Sequence, residues 1–134
     1  IYQVRGVLCE FDVDDKAQFS GEPGDLQELL GNFLENAFKW AEHRVLLTVK
    51  PIYEPAARRP GLYLCIEDDG KGIAPEDIPK ILQRGVRGDE RVQGHGIGMA
   101  IVQDIIQSYN GELSVDRSQE LGGARFSIRL PCLS

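Results

Sequence analysis

The sequence predicts an α/β (α+β) two-layer sandwich: a mixed, mostly antiparallel sheet of about five strands with three helices on one face. Three observations carry that prediction. Strand-like alternation opens and closes the chain, one long amphipathic helix follows the first strand, and a strand, short helix, loop and helix run in order through the second half.

Gly6–Val13 alternates Val7, Cys9, Phe11 and Val13 with Glu10 and Asp12, the period of a half-buried strand. Asp14-Asp15-Lys16 reads as a turn, and Ala17–Ser20 as a short strand. Gly21-Glu22-Pro23-Gly24 breaks the chain, and Asp25 is the predicted N-cap of a helix running to Trp40 or His43. Leu26, Leu29, Leu30, Phe33, Leu34 and Ala37 define its buried face. Arg44–Tyr53 is a second long strand. Glu54–Gly61 is a hairpin connection, and Leu62–Glu67 is a third strand that ends in Asp68-Asp69-Gly70. Ala74–Leu82 predicts a short, proline-started helix. Gln83–Ile97, rich in glycine and charge, reads as a mobile loop. Gly98–Tyr109 carries Ala100, Ile101, Ile105 and Tyr109 at helical spacing and stops at Asn110-Gly111. Glu112–Arg117 and Ala124–Leu130 are strands joined through Leu121-Gly122-Gly123.

The 134 residues make one domain, with 42% apolar and 27% charged content typical of a globular protein. No apolar run reaches membrane-spanning length. A net charge of -6 argues against nucleic acid as a partner but leaves room for a nucleotide, which needs only a local basic patch. Arg84, Arg87 and Arg91 cluster in the loop, with Lys39 and Lys71 elsewhere. Cys9, Cys65 and Cys132 lack metal-ligand spacing. Cys65, between Leu64 and Ile66, reads as a buried reduced thiol, which suits a cytosolic compartment. Because the chain starts at Ile1 rather than Met, it reads as a piece of something longer.

The chemistry concentrates in three places. On the long helix, Asn32, Glu35, Asn36 and Lys39 sit at i, i+3, i+4 and i+7, and so share about a third of the circumference. Amide and carboxylate oxygens can hold a hard cation, and an ammonium can hold phosphate. A plain solvated face is the alternative, although Asn is a poor helix former. Asp68-Asp69-Gly70-Lys71-Gly72 closes a strand as D-x-G-x-G. Its carboxylate could accept a hydrogen bond from an exocyclic amine, or the segment could be a simple Asp-Gly turn. Gly94-His95-Gly96-Ile97-Gly98 opens a helix whose N–H groups could meet phosphate, but it fits neither a dinucleotide-binding fingerprint nor a P-loop. Each motif alone is weak, whereas the ordered set points to a Mg-nucleotide site.

That set resembles the catalytic ATP-binding domain of sensor histidine kinases, whose Bergerat (GHKL) superfamily includes type II topoisomerases, Hsp90 chaperones and MutL proteins. The likeness covers essentially the whole chain and is closest to PhoQ-like sensor kinases, notably at Arg84–Arg87 and Leu121–Arg125. Asn32–Lys39 matches the N box, and Asp68–Gly72 and Gly94–Gly98 match the glycine boxes. Ile81–Gly85 sits where the F box belongs, with Leu82 in place of Phe, and Ala124 stands where many relatives carry Thr.

The resemblance implies roles. Asn36 ligates Mg²⁺ with support from Asn32. Glu35 is the base or orienting group, and Lys39 and Arg84 contact phosphate. Trp40 lies near adenine, while Asp68 reads its amino group. Gly70, Gly72, Ile73 and Ala124 line the base, and Gly94, Gly96, Ile97 and Gly98 form the closing lid. It also implies ATP and Mg²⁺ as cofactors, transfer of the γ-phosphate to a histidine on a separate dimerisation domain, and a response regulator downstream. The expected setting is the cytoplasmic side of an inner-membrane sensor, with this piece monomeric and making no membrane contact itself. Neither His43 nor His95 lies in a phosphoacceptor context, so the piece is not expected to phosphorylate itself. A GHKL-type ATPase, an anti-sigma-factor-like serine kinase and a non-catalytic nucleotide module are the alternatives. The ATPase branch places Glu four residues before its metal-binding Asn, where this chain has Asn32.

Overall fold

Apolar alternation builds the sheet. The structure, a computed structural model, describes residues 2–4, 6–19, 21–55, 59–82 and 99–131. Its strands are β1 (Tyr2–Val4), β2 (Val7–Val13), β3 (Arg44–Ile52), β4 (Gly61–Asp68), β5 (Glu112–Arg117) and β6 (Ala124–Leu130). They form one sheet in the order β1-β2-β3-β4-β6-β5. Among the described residues only the β2–β3 pairing is parallel, with Cys9 beside Val45 and Val13 beside Val49. Its two strands are joined by helix α1 (Pro23–Trp40), as a parallel pair requires a crossover. The other pairings are antiparallel.

Val45, Leu64, Ile66, Phe126 and Ile128 bury one face of the sheet against Leu29, Phe33 and Ala37 of α1. Phe33 meets Phe126 at a ring distance of 5.5 Å. Ile81 of α2 (Ile78–Leu82) and Val102 and Ile106 of α3 (Met99–Ser108) complete the core. Each large side chain buried here contributes roughly 1.5–3 kcal/mol.

The expected architecture is present, with several differences of detail. The sheet has a sixth strand, β1, which folds back onto β2 with Gly6 at φ +78° and runs Val4 beside Val7. Residues 17–19 are not a strand; Phe19 instead packs on the Tyr109 ring at 5.4 Å. Helix α1 begins earlier than expected. Its N-cap is Glu22 with Pro23 in the first turn, and Asp25 lies inside the helix, where Tyr109 engages its carboxylate. A 3₁₀ turn at Pro75–Asp77 leads into α2.

The buried face of α3 is Val102, Gln103 and Ile106, so the expected face is rotated: Ile101 is exposed, and Ile105 and Tyr109 are half-buried. The stop at Asn110-Gly111 holds. Asn110 is left-handed at φ 56°, and the Gly111 N–H reaches back to the Ile106 carbonyl at 2.8 Å, a Schellman closure. Cys65 is buried, but on the sheet face away from the helices, beside Ser127 and Tyr63; Cys9 is the thiol of the core. Cys132 and the loop Gln83–Ile97 lie outside the described residues.

Candidate functional site

The last turn of α1 and the end of β4 are forced together by absent side chains. A Cβ on Gly70 would overlap the carbonyl oxygen of Trp40. A Cβ on Gly123 would overlap both Asp68 Oδ1 and the Asp68 carbonyl oxygen, and the Gly123 N–H donates to that carbonyl at 3.0 Å. Gly72 adopts φ +80°, a conformation that favours glycine, and faces Gly123. Thus Trp40, Asp68, Gly70, Gly72 and Gly123 form one continuous cradle drawn from three separate stretches of chain.

Asp68 lies at its floor, only 2% exposed. Its Oδ1 accepts the Gly70 N–H at 2.9 Å and the Ala124 N–H at 3.3 Å. Both described hydrogen bonds to the carboxylate end on that one oxygen. Burial pushes the Asp68 carboxyl above the ordinary carboxylate range, and the two N–H groups offset that only in part. Backbone alone serves at position 124, so an Ala suffices there.

Its neighbour Asp69 has a different task. Asp69 Oδ1 accepts the N–H groups of Glu42, His43 and Arg44 at 2.9, 2.9 and 3.0 Å, which ties the α1–β3 turn to the end of β4. Burial tends to raise its carboxyl pKa, but the hydrogen bonds from His43, Arg44 and Glu42 outweigh burial and lower it. The adjacent acids look alike in sequence; only the fold separates the stapling carboxylate from the buried one.

The four-residue stripe of α1 is not uniformly outward. Glu35 and Lys39 are exposed, Asn32 is half-buried and Asn36 is buried. Asn32 Nδ2 donates to the Glu28 carbonyl at 2.7 Å and to Glu28 Oε2 at 3.2 Å. Asn36 Nδ2, by contrast, is buried with no hydrogen-bond partner among the described residues. A buried amide left unpaired costs about 1–3 kcal/mol, so Asn36 is a candidate for a ligand contact. As placed, its N–H donors suit phosphate oxygens. Turned by 180°, the same amide presents its oxygen to a cation.

Trp40 is half-buried, with Lys39 Nζ 5.9 Å and Lys71 Nζ 5.0 Å from its ring centre. The expected stripe could not have revealed Lys71, since its proximity depends on Gly70 docking on α1. Gln103 was also not anticipated: buried on α3, it donates to the Ile81 carbonyl at 2.7 Å and secures the end of α2. Half-buried Leu82 packs against the core. Ile73 packs on the core beside Gly72 and lines a pocket of about 210 Å³ with Lys71, Gly72 and Gly123. Arg84, Gly94, Gly96, Ile97 and Gly98 lie outside the described residues. Among the described residues, no three His, Cys, Asp or Glu side chains cluster to hold a metal.

This cradle, between the helix joining two parallel strands and the end of β4, is that of an ATP-binding domain. The chain belongs to the family described as "Histidine kinase-, DNA gyrase B-, and HSP90-like ATPase", whose profile matches residues 21–134. Within that family its relatives include sensor kinases. It is 46% identical over 108 residues to the sensor protein kinase CarS of Pseudomonas aeruginosa, covering 80% of this chain and 22% of that protein. It is 42% identical over 131 residues to the two-component sensor PhoQ of the same organism, covering 96% of this chain and 27% of that protein. The chain therefore spans about a quarter of the length of these relatives. Among solved structures, full-length ShkA in complex with AMPPNP superposes with a TM-score of 0.72 at 27% identity, covering 94% of this chain and 26% of that one.

Proposed function

We propose that this domain binds Mg-ATP and transfers the γ-phosphoryl group to a histidine on a separate dimerisation domain, as one step of two-component signalling. The observation that carries the proposal is the pairing of a buried carboxylate, Asp68, with a buried and unpartnered amide, Asn36, across a glycine-built cradle. A fold does not retain two such unfavourable groups for stability.

In this reading Asp68 accepts a hydrogen bond from the adenine amino group, while Gly70, Gly72, Ile73 and the Ala124 backbone border the ring. Trp40 flanks the base. Asn36, supported by Asn32, would hold the metal through its amide oxygen. Bound Mg²⁺ would neutralise phosphate charge during transfer. Lys39 and Arg84 add positive charge, and the glycines from Gly94 to Gly98 let the lid backbone approach the triphosphate. Glu35, exposed on α1, orients the incoming imidazole. The position of Asn32 favours a kinase over an ATPase, because an amide there cannot act as a general base toward water.

Among the described residues no helix is long and apolar enough to cross a membrane. The proposed setting is the cytoplasmic side of a membrane-anchored sensor, with a response regulator as the final acceptor. Labelled Mg-ATP, mixed with this domain and the histidine-bearing hairpin of its own protein, should leave acid-labile label on the hairpin. Label recovered only as free phosphate would place the protein with the ATPases. Bound ATP without transfer would make it a nucleotide sensor.

A further inference from the structure

The cations over Trp40 go beyond these assignments. Lys39 and Lys71 come from different elements, yet both ammonium groups lie within cation–π range of one indole, at 5.9 and 5.0 Å. Gly70 fixes the meeting: with no Cβ it seats on the Trp40 carbonyl, so the next residue, Lys71, emerges beside the ring. Among the described residues, neither ammonium has a carboxylate partner. Yet the chain carries 21 acidic residues against 15 Lys and Arg, so acids are plentiful. Two bare cations on one ring repel each other, and the π face offsets that repulsion only in part. A polyanion arriving beside the ring would relieve it.

We infer that Lys71 is a second phosphate-contacting cation, which with Lys39 uses the Trp40 ring as a resting platform and moves to phosphate oxygens when nucleotide binds. The inference rests on the nucleotide assignment above and adds a selectivity: Lys71 favours polyphosphates over the nucleoside, while Asp68 reads the base. It also makes Trp40, the one tryptophan of the chain, a direct reporter of the event.

The test is Lys71→Met, which keeps the stem and removes the charge, with affinities for ATP, ADP, AMP and adenosine measured by calorimetry and by indole emission. The expected result is about a 10-fold loss for ATP, a smaller loss for ADP and AMP, and none for adenosine. Lys71→Arg should restore most of the ATP affinity. Without ligand, indole emission of Lys71→Met should differ from wild type, whereas ATP should bring the two spectra closer together. Unchanged ATP affinity in Lys71→Met, or an equal loss for all four ligands, overturns the inference while leaving the nucleotide site standing. If wild type binds none of the four, the nucleotide assignment fails and this inference fails with it.

Discussion

The two ends of α1 are built on opposite principles. At the N-terminal end the polar groups satisfy one another: the Glu22 N–H donates to the Tyr109 hydroxyl at 3.0 Å, and that hydroxyl donates to Asp25 Oδ2 at 2.7 Å. At the C-terminal end, Asn36 Nδ2 is buried without a partner among the described residues, and Asp68 is buried with both of its described hydrogen bonds on one oxygen. The closed end satisfies its own polar groups, whereas the open end leaves Asn36 Nδ2 unpaired among the described residues. Polar satisfaction therefore distinguishes the structural half of the helix from the functional half.

The sharpest way to break that distinction is Asp68→Asn. An amide oxygen can still accept from Gly70 and Ala124, but its NH₂ then confronts the amino group of adenine. Nucleotide affinity should fall at least about 100-fold, roughly 2.7 kcal/mol, by calorimetry. The fold should survive. Because burial raises the Asp68 carboxyl pKa, its protonated form is favoured by folding. Its contribution to stability is present below about pH 4 and is lost as pH rises through the raised value. The variant, lacking that titration, should gain on wild type as pH increases. A variant that melts well below wild type at pH 7 would mark Asp68 as structural.

Asp69→Ala is the complementary change. Three backbone N–H groups lose their acceptor, at a cost of about 2 kcal/mol in a denaturant titration. The Asp69 carboxyl lies below the usual range, so its contribution holds above about pH 4 and fades as pH falls through the lowered value. The difference between variant and wild type should therefore shrink in acid. Nucleotide affinity measured on the folded fraction should stay within a few-fold of wild type.

Asn36→Leu tests the orphaned amide. The substitution replaces a buried unpaired group with an apolar one of similar size, so stability should rise by about 1 kcal/mol while Mg-dependent nucleotide binding weakens about 10-fold or more. An equal loss with and without Mg²⁺ would remove Asn36 from the metal.

How much of this was legible follows from what each feature depends on. Alternation in Val45–Val49 and Leu62–Ile66, and helical spacing from Leu26 to Ala37, are local patterns, and the elements they predict are present. The glycines of D-x-G-x-G are also local: a Cβ at Gly70 would overlap the Trp40 carbonyl, and Gly72 takes a positive φ that favours glycine. The division of labour between Asp68 and Asp69 is not local, since it depends on which residue the α1–β3 turn reaches. Nor is the inward turn of Asn36, which a stripe at helical spacing groups with exposed Glu35. The rotated face of α3 has the same origin: Ile101 fits a helical period as well as Val102, and only packing against α1 and β5 decides between them. Strand β1 was missed because three residues carry too little periodicity.

The smallest expected effect is the one that isolates the closed end. Tyr109→Phe removes a hydroxyl that serves both as donor to Asp25 and as acceptor for the Glu22 N–H, while keeping the ring that packs on Phe19. Both former partners are solvent-accessible enough to find water, so the cost should be about 1 kcal/mol rather than the larger penalty of a stranded buried group. The hydroxyl, held by Asp25, titrates above the ordinary tyrosine range. That hydrogen bond is present while the phenol is protonated. Its contribution therefore holds below about pH 10 and is lost as pH rises through the raised value, where variant and wild type should converge. ATP affinity should not change, because the hydroxyl sits at the far end of α1 from Asn36 and Asp68. A shift in ATP affinity alongside the lost stability would mean that α1 transmits strain from one end to the other. The two ends would then be a single coupled device rather than a clasp and a site.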